Sequence, residues 1–440
     1  MSFRQTSIQI RRNKTRSDLC RRAMTALPNL CSAPPVVGHG SGALFHPRLA
    51  VIPDGDIPQS WASASATTSD GNEVRISVRL ASPPATSFVK VQSAAAGDKL
   101  KLRLRLDPTS RVVAAHGDLL LICMPLVDAG DDDDSPSYSR RHQHDLFVFR
   151  ACVGHPCWLR RVPHASYYYC RINNPLGIVS LPGGGDHFIL ADLQMYSSRY
   201  QLDPATGHLQ EIACLVRYFS ATDRWDFKAP LAMPYDGDAL KPDHWRTDKC
   251  FCSSTDHKQT DNGSTTIMYW VDYHLGLLRC DVGNCAPMLR FIRLPEIESW
   301  NSYSFPAYRF LQDRMCPEAY RTAGAYKGGT VIFVHVDNGL FGLHKKSGFT
   351  ITIWALKMPE FGWHEVRVLQ VDDELWQLPT FKDSPLPRWV PQFPMVSMRQ
   401  EDVLHFILHE YPCGDDDWMI TVDMHHKLLQ SYENRIKAGW

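Results

Sequence analysis

The sequence has no surplus of charge of either sign: 47 Lys and Arg stand against 47 Asp and Glu in 440 residues. A balanced chain exerts no general pull on nucleic acid or on an acidic membrane surface, so neither is expected as a partner. Long apolar runs are missing too. The longest, Leu119 to Val127, is nine residues and contains Pro125, far short of the ~20 residues that a membrane-spanning helix needs. No Gly-x-Ser-x-Gly, Gly-x-x-x-x-Gly-Lys or helix-opening Gly-x-Gly-x-x-Gly occurs, which removes the usual nucleophile and phosphate signatures. Nor is there a Cys-x-x-Cys among the 13 Cys. That number is odd, the thiols are scattered, and no apolar secretory leader precedes them. They read as reduced thiols of an intracellular protein, cytoplasmic or nuclear.

What is present describes an architecture better than an activity. Hydrophobic residues make up 44% of the chain, ordinary for a folded protein. Residues 1–34 differ from the rest. Arg4, Arg11, Arg12, Lys14, Arg16, Arg21 and Arg22 are set against the lone acid Asp18 up to residue 22. Such an Arg-rich, acid-poor leader reads either as disordered or as a transit peptide for mitochondrion or chloroplast. Ala33-Pro34-Pro35 marks the expected start of a single all-β domain over residues 35–440.

From Glu73 onward the dominant period is two. Val74, Ile76, Val78 and Leu80 alternate with Glu73, Arg75, Ser77 and Arg79, and Leu100, Leu102, Leu104 and Leu106 alternate with Lys99, Lys101, Arg103 and Arg105. The four-cation row reads as the wet face of a strand rather than a phosphate grip. Short β-rich runs follow at 146–149, 187–193, 211–219, 266–272, 330–336, 349–356, 403–409 and 419–424. Asp203-Pro204-Ala205-Thr206-Gly207 and Asp337-Asn338-Gly339 supply hairpin turns, because Pro presets the first turn angle while Asn and Gly accept positive φ. Trp270 to Leu278 lines up with Phe333 to Phe341 at an offset of 63, as strand, turn, strand. Units of ~65 residues predict about six blades of a β-propeller-like assembly, with a multi-sheet β-sandwich as the alternative. Leu428, Leu429, Tyr432 and Ile436 fall at helical spacing and predict a short C-terminal helix.

The residues that could carry chemistry do not converge on one mechanism. Cys250-Phe251-Cys252 with His244 and His257 is the densest ligand cluster, and Cys152/Cys157 and Cys280/Cys285 are looser pairs. Small buried thiols on strands are the simpler account, and no metal ligand is named. His405 and His409 sit on an alternating strand, where four residues do not make neighbours of them as a helix would. Neither His364-Glu365 nor His409-Glu410 continues into a zinc-protease pattern. Gly183-Gly184-Gly185 lacks the helix that would complete an anion site and reads as a hairpin connection. Asp192, Asp203, Asp272, Asp281 and Asp423 lie at or near strand ends, where an acid pair could serve as general acid and base or where each could close a turn. Trp225, Trp270, Trp354 and Trp376 could line a recognition surface or fill the core. The catalytic residues are therefore unknown, and no cofactor is expected.

Several of these segments together resemble a large plant family, abundant in cereals, defined as domain of unknown function 1618. The resemblance is carried by Ala66 to Leu80 with Pro83-Pro84, by Ala114 to Asp118, by Ala191 to Gln194 and above all by the hairpin Tyr269 to Val282, closing with Arg293-Leu294-Pro295. It spans roughly Trp61 to Met424. The family has no established activity, catalytic residues or cofactor to carry over. Its strand-rich pattern is similar to F-box-associated and kelch-type propellers, which implies a non-catalytic, monomeric protein-interaction scaffold with a protein partner. No F-box helix pattern is visible in residues 1–60. Its loop-rich face would include Pro230 to His257 and Trp300 to Arg321. The competing expectation is an enzyme with an acid or His site at one face, and a third is a metal or redox site at Cys250/Cys252.

Overall fold

A computed structural model describes most of residues 61–434 and, ahead of them, only short paired strands between 36 and 51. Outside the described residues lie 1–35, most of 38–60, the longer stretches 94–109, 127–142, 165–174, 233–244, 254–265, 296–316, 338–349, 410–416 and 435–440, and a few short breaks. The expected basic leader, the Lys99–Leu106 strand and the turn residues after Asp203 and Asp337 are among them.

The chain is all-β. Two-residue strands β1 (Val36–Val37), β2 (His39–Gly40), β3 (Leu44–Phe45) and β4 (Ala50–Val51) precede the main elements. The first sheet is built on β5 (Ala62–Thr67), β6 (Glu73–Arg79) and β7 (Thr86–Ser93), and the second on β8 (Arg111–Gly117), β9 (Leu119–Leu126), β10 (Gln143–Arg150) and β11 (Trp158–Val162). The third holds β12 (Gly177–Ser180), β13 (Phe188–Leu202), β14 (Leu209–Phe219) and β15 (Arg224–Leu231). The fourth holds β16 (Lys249–Ser253), β17 (Ile267–Asp272), β18 (Gly276–Asp281) and β19 (Arg290–Arg293). The fifth comprises β20 (Arg321–Ala325), β21 (Val331–Asp337), β22 (Thr350–Lys357) and β23 (Gly362–Gln370), and the sixth β24 (Gln392–Val396), β25 (Val403–His409), β26 (Asp417–Asp423) and β27 (Leu428–Asn434). Pairing among these longer strands is antiparallel throughout; β2, β3 and β4 add parallel contacts to β8 and β7. Helix among the described residues amounts to α1 (Pro379–Lys382) and two isolated turns at 317–319 and 371–375.

The sheets stack face to face in chain order. In β10, Phe147 and Phe149 pack towards the first sheet, while Leu146 and Val148 pack towards the third. The third and fourth sheets meet through Ile189, Leu215, Met268 and Trp270, the fourth and fifth through Tyr269, Val271, Val331 and Phe333, and the fifth and sixth through Ile332, Ile351, Leu404 and Ile420. A strand covered on both faces is apolar at every position, which is why these runs read as continuous rather than alternating. Burial of each such Val, Leu, Ile or Phe is worth about 1.5–3 kcal/mol, so these seams dominate the folding energy.

Neighbouring sheets also share an edge. The opening strands β8, β12, β16, β20 and β24 lie side by side in order, with the closing strands at the opposite edge of each sheet. The first sheet runs the other way, with β5 beside β11 and β1 beside β8. The six expected repeat units therefore correspond to six sheets, and no strand described here is shared between the first and the sixth.

Two expectations need correction. The C-terminal helix is instead β27: Asp423↔Leu428 through Trp418↔Asn434 pair antiparallel across a tight turn in which Lys427 takes φ 52°. Leu429 enters the core while Leu428 and Tyr432 remain exposed, so pairing with an open sheet edge overrides the helical spacing. Leu80 lies beyond the end of β6 and is 39% exposed, whereas Ser77, read as wet, is fully buried and hydrogen-bonds Ser63 across the strand pair at 2.8 Å.

Candidate functional site at the seam of the fourth and fifth sheets

The hairpin β17–β18 sets up the most connected group of buried ionisable side chains. Its turn, Asp272 to Gly276, is closed by Leu275 N–H donating to the Asp272 carbonyl, and Gly276 admits no Cβ because Ile292 O and the Phe291 ring occupy that space. The Asp272 carboxylate is fully buried and accepts three backbone N–H groups, from Arg246 (2.9 Å), His274 (2.8 Å) and Leu275 (3.1 Å). Asp248 accepts from Tyr273 N–H at 2.9 Å and pairs with Arg246 at 3.3 Å.

From the fifth sheet, Arg321 reaches across and donates from Nη1 to Tyr273 O at 2.6 Å and from Nε to His335 Nδ1 at 3.4 Å. Burial pulls the Arg321 pKa down to about 10, against the opposing pull of Asp272. Burial, reinforced by the Arg321 charge, holds His335 down at about 3. The imidazole is therefore neutral at pH 7, with Nδ1 accepting and the proton on Nε2, which has no partner among the described residues. Lys249 donates to Thr322 Oγ1 at 3.1 Å, and burial lowers its pKa to about 8. Burial lifts the Tyr273 hydroxyl well above its ordinary value. The group is suited to holding two sheets together. The one lone pair a base would use, on His335 Nδ1, already faces a guanidinium.

The structure places the sequence candidates as follows. Asp281 closes a turn by accepting from Thr266 N–H and Gly283 N–H, both at 3.1 Å, and Asp423 does the same for His425 (2.9 Å) and His426 (2.8 Å). Asp192 lies within β13, buried, with Gln194 donating to it at 3.3 Å; Asp203 is outside the described residues. Cys250 and Cys252 face the third sheet from β16, while His244 and His257 are outside the described residues. Among the described residues no group of three or more His, Cys, Asp or Glu could hold a metal ion. Cys152 is likewise outside, Cys157 is half-buried, Cys280 is buried and Cys285 exposed.

His405 and His409 lie on β25 as expected, the first against Thr421 Oγ1 at 3.0 Å and the second against Asp417. His364 and Glu365 lie on β23. Trp270 is core; Trp354 and Trp376 pack against core clusters, and Trp225 donates to Pro163 O at 2.7 Å. The triple glycine is outside the described residues, yet Ser180 pairs with Phe188 and Leu181 N–H reaches His187 O across it, so the connection is a hairpin. The stretch 230–257 is not all loop, since β16 occupies 249–253, and Arg321 begins β20 rather than ending a loop.

Sequence reasoning missed three polar ties. Fully buried Asp145 accepts Ser69 N–H at 2.7 Å and pairs with His164 at 2.9 Å, joining the first and second sheets. Arg217, buried in β14, donates to Val282 O (2.8 Å) and Asn284 O (2.6 Å) and pairs with Asp226, joining the third and fourth. His116 Nδ1 accepts from Ser180 N–H at 3.1 Å and lies 2.9 Å from Ser180 Oγ, linking β8 to β12. A charge interrupting an apolar strand run, as Asp145 and Arg217 do, was the available signal.

No helix among the described residues is long and apolar enough to cross a membrane. The chain matches a family model described as a protein of unknown function, DUF1618, over residues 270–405, which covers most of the fourth- and fifth-sheet hairpins and the start of the sixth sheet. No curated protein matches. Among solved structures the chain is similar to prolyl oligopeptidase B from Galerina marginata, bound to a 25mer macrocyclization substrate. The identity is 9% and the TM-score 0.32, over 89% of this chain and 44% of that one. It is also similar to the tail fiber of Staphylococcus aureus phage P68, at 10% identity and a TM-score of 0.17, over 85% and 83% of the two chains. The chain thus spans under half the length of the peptidase it matches. Both scores are too low to bear on fold or activity.

Proposed function

We propose that the chain is a DUF1618-type protein whose six sheets are set radially, in the manner of a propeller, and that it works as a non-catalytic scaffold for another protein. The arrangement is supported by the series of opening strands along one inner edge and by the face-to-face stacking of successive sheets. The observation that carries the functional reading is the use made of the acids. Asp272, Asp281 and Asp423 each accept two or three backbone N–H groups, which fixes turns and rims rather than presenting carboxyls to a substrate. Rigid rims of that kind are what a recognition surface needs.

The test is affinity purification of the tagged chain after mild crosslinking, followed by titration of any recovered protein against the pure chain. A partner that rebinds at fixed stoichiometry supports the scaffold. Recovery of the chain alone, repeatedly, counts against it.

A second reading rests on Ser180 and His116, since a serine hydroxyl at 2.9 Å from an imidazole is the contact from which hydrolases build a nucleophile. Here burial holds His116 at about 4, hence neutral, but its Nδ1 lone pair also takes the Ser180 backbone N–H. The scaffold reading expects no labelling of Ser180 by a fluorophosphonate. Stoichiometric labelling, lost in Ser180→Ala, would move the assignment to a hydrolase.

A further inference from the structure

Four residues form one cross-strand row on the face of the fourth sheet that meets the fifth: Phe251, Tyr269, Arg279 and Arg290, one from each strand. The row runs from the inner edge outward, and exposure rises along it. Phe251 and Tyr269 are buried and stacked, with centroids 5.1 Å apart, whereas Arg279 is half-buried and Arg290 exposed. Its outer end sets two guanidinium-bearing residues directly opposite one another. Like charges in that position destabilise a sheet. Neither forms an ion pair among the described residues. Glu360 and Glu365, on the adjoining hairpin of the fifth sheet, make none with them. Both instead share the ring of Phe361, at 4.3 Å for Arg290 and 5.8 Å for Arg279. Arg279 Nε is buried and has no hydrogen-bond partner among the described residues.

The platform is held in place from two sides. Phe361 sits at φ 58°, a left-handed conformation that a bulky residue rarely takes, although Gly362 beside it could have taken it without strain. Trp363 donates from Nε1 to Arg293 O at 2.7 Å, tying this hairpin to the end of β19. Two planar guanidinium forks are thus stacked on one ring; Arg279 also hydrogen-bonds the Tyr269 hydroxyl, and no ion pair among the described residues compensates either positive charge.

We propose that Arg279 and Arg290, held on Phe361, bind a phosphate monoester carried by a peptide. A carboxylate would neutralise one of the two guanidinium charges. A phosphate monoester, close to a dianion at pH 7 and offering three acceptor oxygens, answers both and can take two forks at once. The proposal rests on the scaffold reading for the peptide source and names the chemistry such a partner would present.

The experiment is calorimetric titration of the full chain with a short neutral peptide bearing phosphoserine, with its serine and aspartate counterparts, and with inorganic phosphate. The phosphopeptide is expected to bind at least about tenfold more tightly than either counterpart. Its affinity should fall between pH 7 and pH 5 as the phosphate takes up its second proton. Arg290→Gln, on an exposed side chain that leaves thermal unfolding unchanged, should weaken binding by about tenfold, and the double variant R279Q/R290Q should abolish it. Lys90→Gln, at the remote cation–π contact with Trp61, should change nothing. Equal affinity for the three peptides, or full binding by R290Q, overturns the site. Inorganic phosphate bound as tightly as the phosphopeptide, and lost in the double variant, upholds the site and overturns the peptide as its ligand. The scaffold reading would then stand or fall on its own partner titration.

Discussion

The two faces of the fourth sheet are made by alternate residues of the same strands, and they are chemically opposite. Towards the third sheet β17 sends Met268 and Trp270, which pack with Cys250, Cys252 and Cys280 in a dry, sulfur-rich seam. Its polar ties are the Cys252 thiol donating to Ile178 O at 3.2 Å and, beyond the sulfur cluster, Arg217 donating to Val282 O and Asn284 O. Burial pushes the Cys250 and Cys252 thiols well up and Cys280 up to about 12, so all three stay protonated and inert at neutral pH. Towards the fifth sheet the same strand sends Tyr269 and Val271, and that seam ends in Asp272, Arg321 and His335 on one side and Arg279 and Arg290 on the other. One seam is held by close packing and admits no extra atom. The other adds to its apolar packing a buried charge network at Asp272, Arg321 and His335, and tolerates no missing member there.

The sharpest way to break this contrast is to remove a charge from the polar seam. Asp272→Ala strips the acceptor from three backbone N–H groups and leaves Arg321 buried without its balancing carboxylate. It should cost about 3–5 kcal/mol, read as a shift in urea midpoint at constant slope. Asp272→Asn keeps one oxygen and should lose less. A loss under about 1 kcal/mol for Asp272→Ala would mean that the turn, not the charge, holds the seam.

The matching test of the dry seam adds an atom. A Cβ on Gly177 would lie 2.5 Å from Met268 Sδ and 2.6 Å from Cys250 Sγ, closer than real contacts allow. Gly177→Ala should therefore cost about 1–3 kcal/mol as those side chains are forced off their rotamers. Combining it with Met268→Ala should recover part of that strain, because the crowding atoms are then gone. Additive losses would refute steric crowding as the cause.

The polar seam should also answer to pH where the dry one does not. His335, in the polar seam, is held at about 3, and two histidines outside both seams, His116 and His405, at about 4, against 6.5 for an ordinary imidazole, in each case chiefly by burial. Between pH 6.5 and 4 the unfolded chain binds these protons and the folded chain does not, so stability falls as the solution is acidified. Each histidine contributes about 1.4 kcal/mol per pH unit through that window. His335→Asn should flatten the slope by that amount between pH 6 and pH 4. An unchanged slope would show that the imidazole is protonated in the folded protein.

Much of this was legible in the sequence, and the gaps have physical causes. The 403–409 strand has the same bounds as β25, and the Tyr269–Val282 hairpin is β17–β18 with its turn closed by Asp272. Period and turn chemistry are local, so a chain read in order reveals them. What was not legible depends on which sheet faces which. Arg279 falls within the Tyr269–Val282 hairpin and Arg290 carries no signal of its own, because nothing in their sequence neighbourhood announces that Phe361 lies across both. The C-terminal segment reads as helix because helical spacing is a local preference, and the open edge of β26 outweighs it. Cys250 and Cys252 read from the sequence first as small core thiols and only last as a metal or redox site, and strand geometry turns both towards the core of the third and fourth sheets.

The finest discrimination between the two seams is the indole of Trp270. Its side chain is fully buried in the dry seam, and Nε1 has no acceptor among the described residues. An unsatisfied buried donor costs about 1–3 kcal/mol, while trimming an indole to a phenyl ring loses packing of similar size. Trp270→Phe should consequently leave stability within about 1 kcal/mol of the parent, whereas Trp270→Ala, which loses the packing outright, should cost about 3–5 kcal/mol. The near-cancellation is specific to an indole with no polar partner among the described residues. A loss above about 2 kcal/mol for the phenylalanine variant would mean that the indole N–H has an acceptor, with a neighbouring thiol or thioether sulfur the candidate, and that the dry seam carries a directional bond as the polar one does.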